Sequence, residues 1–104
     1  MDVTSSGGAM SAPHFVVHDK TDTVGVVVVE TVTPKTEMTG WVMETDETIR
    51  ITALDAIPIG HKVALHDIGK GDTVMKYGHS IGKAVANIGT GHHVHVHNLK
   101  TTKW

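Results

Sequence analysis

One short device recurs three times in the second half of the chain and limits what it can fold into. Ile-x-x-Gly-x-x-Val occurs at Ile57, Gly60, Val63, again at Ile68, Gly71, Val74, and again at Ile88, Gly91, Val94. It reads as a buried isoleucine, a tight turn whose glycine takes positive φ, and a strand whose valine returns to the core. The copies start 11 and then 20 residues apart, so they form no solenoid of fixed period. A compact set of folded hairpins is expected instead. The residues after each glycine should then occupy similar places: His61 and Lys62, Asp72 and Thr73, His92 and His93.

The rest of the chain agrees with a mostly β fold. Segments rich in Val, Ile and Thr, punctuated by Gly, Asp and Pro, predict strands at 14–18, 23–30, 39–43, 48–53, 61–65, 73–77, 80–86 and 92–99. No stretch of ten residues carries a helical period; a single helical turn is expected near Ala53–Ala56, ahead of Pro58. Residues 1–11, small and polar with a glycine pair, read as a flexible leader, with Met10 an alternative start; residues 12–104 read as one domain. Trp41 is expected to anchor the core and Trp104 to dock on a partner.

Charge and composition exclude several classes of function. A net charge of −2 argues against nucleic acid as a partner, because phosphate neutralisation needs a surplus of Lys and Arg. The longest purely apolar run, Val26 to Val29, is too short to span a bilayer, and the N-terminus lacks the basic start and apolar stretch of a signal peptide. With no cysteine there is neither a disulfide framework nor a thiolate metal site. A soluble, unexported, cytoplasmic protein is expected.

Nine histidines stand out in such a chain, and their densest run is His92-His93-Val94-His95-Val96-His97-Asn98. If it is a strand, period two places His93, His95 and His97 on one face and Val94 and Val96 on the core side. Same-face neighbours lie roughly 6.6 Å apart along a strand. His95 and His97 can then converge on one metal ion or one anionic ligand, with Asn98 extending the polar run. Two further clusters sit at turn edges: His61-Lys62 after Gly60, and Lys76-Tyr77 before Gly78, where glycine admits a close approach of backbone or ligand. Two lysines, a tyrosine and several histidines suit a carboxylate-bearing substrate.

These residues carry a resemblance. The run from Ile57 to Asn98, with Gly60-His61-Lys62, Lys76-Tyr77-Gly78, Ile81-Gly82 and His95-Val96-His97-Asn98, resembles the SAF domain, a β-clip module, in the version that begins altronate and galactarate dehydratases. Asp22-Thr23-Val24-Gly25-Val26 matches the opening strand of that family, so the resemblance spans roughly residues 14–99. It implies a single-domain β-clip of short strands and folded hairpins. It also implies iron(II) in the assembled enzyme and candidate catalytic or substrate-binding groups at His61, Lys62, Lys76, Tyr77, His95, His97 and Asn98. Members of the family usually carry a long catalytic region after this domain, whereas this chain stops at Trp104, so a separate large catalytic subunit is expected. The front HFVVHDKTDTVGVVVVE and the tail NLKTTKW are most similar to small subunits that act in releasing sulfite from sulfolactate. Sulfolactate, a small 2-hydroxy carboxylate, is therefore the expected substrate, with altronate or a related sugar acid, also 2-hydroxy carboxylates, as the alternative. A non-catalytic carbohydrate- or metal-binding module on the same fold is the third reading.

Overall fold

Phe15, the one phenylalanine, sits where three strands meet. It is fully buried, and its ring lies over Gly25 and Gly40, where a Cβ atom would collide with it. The computed structural model describes residues 12–101 and contains eleven strands and no helix among them. In chain order these are β1 (Phe15–Val17), β2 (Val24–Val27), β3 (Thr31–Val32), β4 (Glu37–Val42), β5 (Glu47–Thr52), β6 (Ile57–Pro58), β7 (Lys62–Ala64), β8 (Thr73–Lys76), β9 (His79–Ala84), β10 (His93–Val94) and β11 (Leu99–Lys100). Six of them form a sheet in the order β10-β7-β2-β1-β4-β5, three form β11-β9-β8, and β3 pairs with β6. The β1–β4 pair is parallel and the other strand pairs are antiparallel.

Two apolar clusters hold these sheets. One gathers Phe15, Val17, Val27, Val32, Met38, Val42, Ala53, Ile57 and Val63. The other gathers Val24, Ala64, Ile68, Val74, Ala84, Ile88 and Val94. Adjacent residues of β7 contribute to different clusters, Val63 to the first and Ala64 to the second, as alternation along a strand buried on both faces requires.

The recurring device folds as its sequence predicts. Ile57, Ile68 and Ile88 are buried, Gly60, Gly71 and Gly91 have φ of 83°, 90° and 87°, and Val63, Val74 and Val94 are fully buried. The second and third copies are also related by an approximate twofold. Ile68 and Ile88 exchange both backbone hydrogen bonds, at 2.7 and 2.8 Å. Asn87 Oδ1 accepts the Lys70 amide and Asp67 Oδ1 accepts the Thr90 amide, each at 2.9 Å. The Gly71 amide donates to the Ala84 carbonyl, and the Gly91 amide to the Ala64 carbonyl. Met75 exchanges bonds with Thr23 as His95 does with Asn98. Residues 67–75 thus stand in one half where residues 87–95 stand in the other.

Several local expectations fail, each for a physical reason. Trp41 is no core anchor: alternation in β4 sends Met38, Gly40 and Val42 inward, and Trp41 is 39% exposed, with Nε1 donating to Asp46 Oδ1 at 2.8 Å. The segment 53–56 forms no helical turn, because the Ala53 amide bonds the Thr36 carbonyl and the Leu54 amide bonds the Gly91 carbonyl. Residues 92–99 do not form one strand but two short ones separated by a turn at 95–98. The pairs β3 and β6 are too short to show a period in the sequence. The leader, the Met10 start and the Trp104 contact lie outside the described residues.

The device makes an internally controlled stability test. A Cβ at Gly60 would meet nothing within 4 Å, so Gly60→Ala should cost roughly 1 kcal/mol, the conformational penalty of positive φ alone. A Cβ at Gly91 would collide with the Thr52 carbonyl oxygen, so Gly91→Ala should cost at least about twice as much. Urea unfolding of the two variants checks this, and equal midpoints would contradict it.

Candidate functional site: four histidines beside two lysines

The site begins with the failure of the long strand. After Val94 the chain turns, and the turn is fastened by Asn98. Its Oδ1 accepts the His95 amide at 2.9 Å, its Nδ2 donates to the His93 carbonyl at 2.8 Å, and its own amide donates to the His95 carbonyl. This use of an Asn side chain to close a local turn competes with continued strand pairing. Val96, expected in the core, is 80% exposed at the tip. Val94 is fully buried, as alternation predicted for it.

The turn folds His95 back over the start of β7. There the His61 and His95 rings stack with centroids 3.8 Å apart and planes 16° apart. His61 Nδ1 and His93 Nε2 lie 2.7 Å apart in a hydrogen bond. One nitrogen from each of His61, His93 and His95 lies within 4.8 Å of the others. His97 tilts against His93 at 5.1 Å between centroids but is exposed and stands outside that trio. The structure therefore groups His95 with His61 and His93 rather than with His97, the companion expected from alternation.

The cluster is held in an electropositive setting. Burial, and then His61, His97 and His95, push the His93 imidazole below its ordinary pKa, against the opposing pull of Asp55. Burial, followed by His61, Lys62 and His97, does the same to His95. Both shifts favour neutral rings with free nitrogen lone pairs. His95 Nδ1 is buried with no hydrogen-bond partner. Three imidazoles without a carboxylate suit a first-row transition metal such as iron(II) and poorly suit magnesium or calcium, so the donor set fits the metal that the family resemblance implies.

Lys62 joins this cluster to the second one. Half-buried on β7, it is pushed to a lower pKa first by burial and then by the nearby ammonium of Lys76. Among the described residues neither lysine pairs with a carboxylate. Lys76 Nζ lies 5.1 Å from the centre of the Tyr77 ring, and the Tyr77 and His18 ring centres are also 5.1 Å apart, with planes 63° apart. Tyr77 takes a positive φ of 55°, and Gly78 one of 73°. That turn is organised by Asp22, which is almost wholly buried and accepts the amides of Tyr77, Gly78 and Asp19 at 2.9, 2.8 and 3.2 Å.

Asp22, Asp55 and His92 were not among the site residues expected from the sequence. Asp55 Oδ2 accepts the His93 amide and faces His92 Nδ1, both at 2.9 Å. Burial raises its pKa, yet the His93 amide, the His92 ring and the two imidazole charges together hold the carboxyl below its ordinary value. It fixes where His93 begins. An open cleft of about 260 Å³ runs past Asp55, Asn87, His92, His93, His97 and Asn98. Asn98 lines it, but both ends of its amide are engaged inside the turn.

A fold of short β hairpins, with Gly60-His61-Lys62 facing His93 and His95 and with Lys76-Tyr77-Gly78 seated on Asp22, defines a class. Residues 13–102 match the altronate/galactarate dehydratase SAF domain, and the chain belongs to that family. Within it, the chain is similar to the alpha subunit of (2R)-sulfolactate sulfo-lyase from Chromohalobacter salexigens, at 54% identity over 90 residues that cover 86% of this chain and 96% of that one. The corresponding subunit of Paracoccus pantotrophus is 56% identical over 55 residues, 53% of this chain and 82% of that one. Altronate dehydratase of Bacillus subtilis is 47% identical over 53 residues, 51% of this chain and 11% of that enzyme.

The turn and the lysine yield a paired prediction for the isolated chain. Val94→Ala should cost roughly 1–3 kcal/mol through lost burial and a cavity, whereas Val96→Ala should stay within about 0.5 kcal/mol. Lys62→Met should stabilise by roughly 0.5–1 kcal/mol, because it removes a half-buried ammonium with no counter-ion. Chemical denaturation of the three variants checks the signs; a destabilised Lys62→Met would mean that the lysine is compensated.

Proposed function

We propose that this chain is the small subunit of a carbon–sulfur lyase that eliminates sulfite from (2R)-3-sulfolactate to give pyruvate, completed by a separate large catalytic subunit. The observation that carries the reading is the pair of uncompensated ammoniums, Lys62 and Lys76, next to the histidine cluster. Sulfolactate carries two permanent anions on a three-carbon frame, and two adjacent cations match it through charge-assisted hydrogen bonds. Support also comes from the near-complete coverage of the Chromohalobacter alpha subunit. Sugar-acid dehydratases match over a tenth of their length.

The reaction removes the proton from C2 and breaks the C3–S bond. The bonding pair leaves on sulfur as sulfite, and the enol that remains takes up a proton at C3 to become pyruvate. A proton beside a carboxylate is a poor acid, so the site must stabilise the negative charge that develops on the carboxylate as it leaves. Iron(II), when bound, supplies Lewis-acid polarisation of that carboxylate. Lys62 and Lys76 anchor the anions, and Tyr77 stacks beside Lys76 to limit its freedom. His61 and His95 gather their rings beside Lys62, while the exposed His97 stands where a proton can be exchanged with water. Asn98 acts by holding the turn that carries His95 and His97. Large-subunit groups complete the site. The reading places the enzyme in the cytoplasm, which a cysteine-free chain fits.

A small subunit of an altronate dehydratase is the second reading. It needs partners for a row of neutral hydroxyls, and Asn98, the amide best placed in the sequence to serve, is committed to the turn.

Purified alone, the chain should release no sulfite; mixed with its large subunit it should. In that complex Lys62→Met and Lys76→Met should each raise the apparent KM for sulfolactate about 10-fold or more, the loss of one charge-assisted bond. Added salt should weaken binding in the unsubstituted enzyme. Turnover of altronate without turnover of sulfolactate would overturn the first reading and leave the second.

A further inference from the structure

The geometry points to a metal site built wholly within this chain: we infer that His61, His93 and His95 together bind one divalent first-row transition-metal ion. Three independent restraints bring the rings together. His93 is set by its pairing opposite Val63 and by the bond from its amide to Asp55. His61 immediately precedes β7, with its amide bonded to the Pro58 carbonyl across the Gly60 turn. His95 is fixed by the Asn98 side chain. The outcome is one nitrogen from each ring within 4.8 Å of the other two.

Two observations mark the cluster as a binding site rather than a packed face. His95 Nδ1 is buried and unpartnered, which is costly in a folded chain and is explained by a ligand. In addition, the three rings gather face to face, His61 with its centre 3.8 Å from that of His95 and 4.9 Å from that of His93, and the three imidazoles supply the donor set without a carboxylate. The all-nitrogen donor set selects for ions of intermediate softness, iron(II), cobalt(II), nickel(II) or zinc(II), over magnesium and calcium. Three protein ligands leave coordination positions for water or for substrate oxygen, the pattern of catalytic rather than structural sites. The inference deepens the lyase reading, but its test does not depend on that reading.

The experiment titrates cobalt(II) into the metal-stripped 104-residue chain, without substrate or large subunit, and follows visible ligand-field absorption and heat of binding. The expected result is saturation at one equivalent, a raised unfolding midpoint on binding, and no competition from millimolar magnesium. His61→Gln and His95→Gln should each weaken binding by about 100-fold or more, beyond the 10–100-fold typical of groups one step removed from a metal. His97→Gln, which removes only a ring packed against His93 and no ligand, should weaken it by less than about 10-fold, below the range for groups that hydrogen-bond a ligand. Circular dichroism of each variant establishes that it is folded; if His61→Gln is not, His95→Gln, whose side chain projects from a turn, decides. Absence of saturable binding below about 1 mM, binding unaffected by either triad substitution, or loss on His97→Gln alone would each overturn the proposal. Sulfite release by the two-subunit enzyme is scored separately, so a failed metal site and a failed substrate assignment give different results.

Discussion

The reciprocal backbone bridge between Ile68 and Ile88 is the joint on which the rest of the molecule depends. Two loops with no regular structure of their own cross there, and each satisfies the polar groups of the other. The isoleucines exchange amide bonds, and the Asp67 and Asn87 side chains reach over to the amides of Thr90 and Lys70. With those groups paired, both isoleucines can be buried, and the second apolar cluster forms around them. β8 and β10 then leave the joint in fixed directions, which places Lys76 and His93. A domain of about this size with no helix among its described residues and no cysteine for a disulfide has few other ways to order its loops.

The local rules of sequence reading worked wherever both partners of an interaction lie within one turn or one strand. The Ile-x-x-Gly-x-x-Val device announced its three buried isoleucines, three left-handed glycines and three buried valines, because each depends on neighbours within seven residues. Alternation misled where a polar side chain outcompeted the strand. Nothing in His95-Val96-His97 differs from a strand by period, and the deciding residue is Asn98, whose amide closes the turn. Trp41 misled in the other direction, since size suggested burial while its parity in β4 opposed it. Gly40, placed under the Phe15 ring, was the signal that the inward face was already filled.

Site residues divide along the same line. His61, Lys62, Lys76, Tyr77, His95, His97 and Asn98 were visible as unusual residue types at turn edges. What the sequence withheld is which of them meet, because His61 and His93 are 32 residues apart and Asp22 and Tyr77 are 55 apart. Asp22 and Asp55 were not marked as site residues for that reason: the meaning of each comes from amides far along the chain. Asp22 bonds three of them. It acts as the organiser of the Tyr77 turn, not as a charge offered to a ligand.

The approximate twofold explains how a site arose in only one of two similar halves. In the first half, Asp72 Oδ2 caps the Gly69 amide, and the chain passes Met75 into the hairpin with β9. In the second half, His92 stands in place of Asp72, His93 in place of Thr73 and His95 in place of Met75. Here no hairpin partner follows in the chain; the next residues must instead bring Leu99 and Lys100 beside β9. The turn needed for that connection exposes Val96 and folds His95 toward His61. The first half therefore spends its side chains on closing loops, while the second, with its loop held from outside by Asp55, has imidazoles free to face a cleft. Concentrating imidazoles and unpaired lysines destabilises the bare domain, and natural sequences tolerate such a cost where a ligand or a partner repays it.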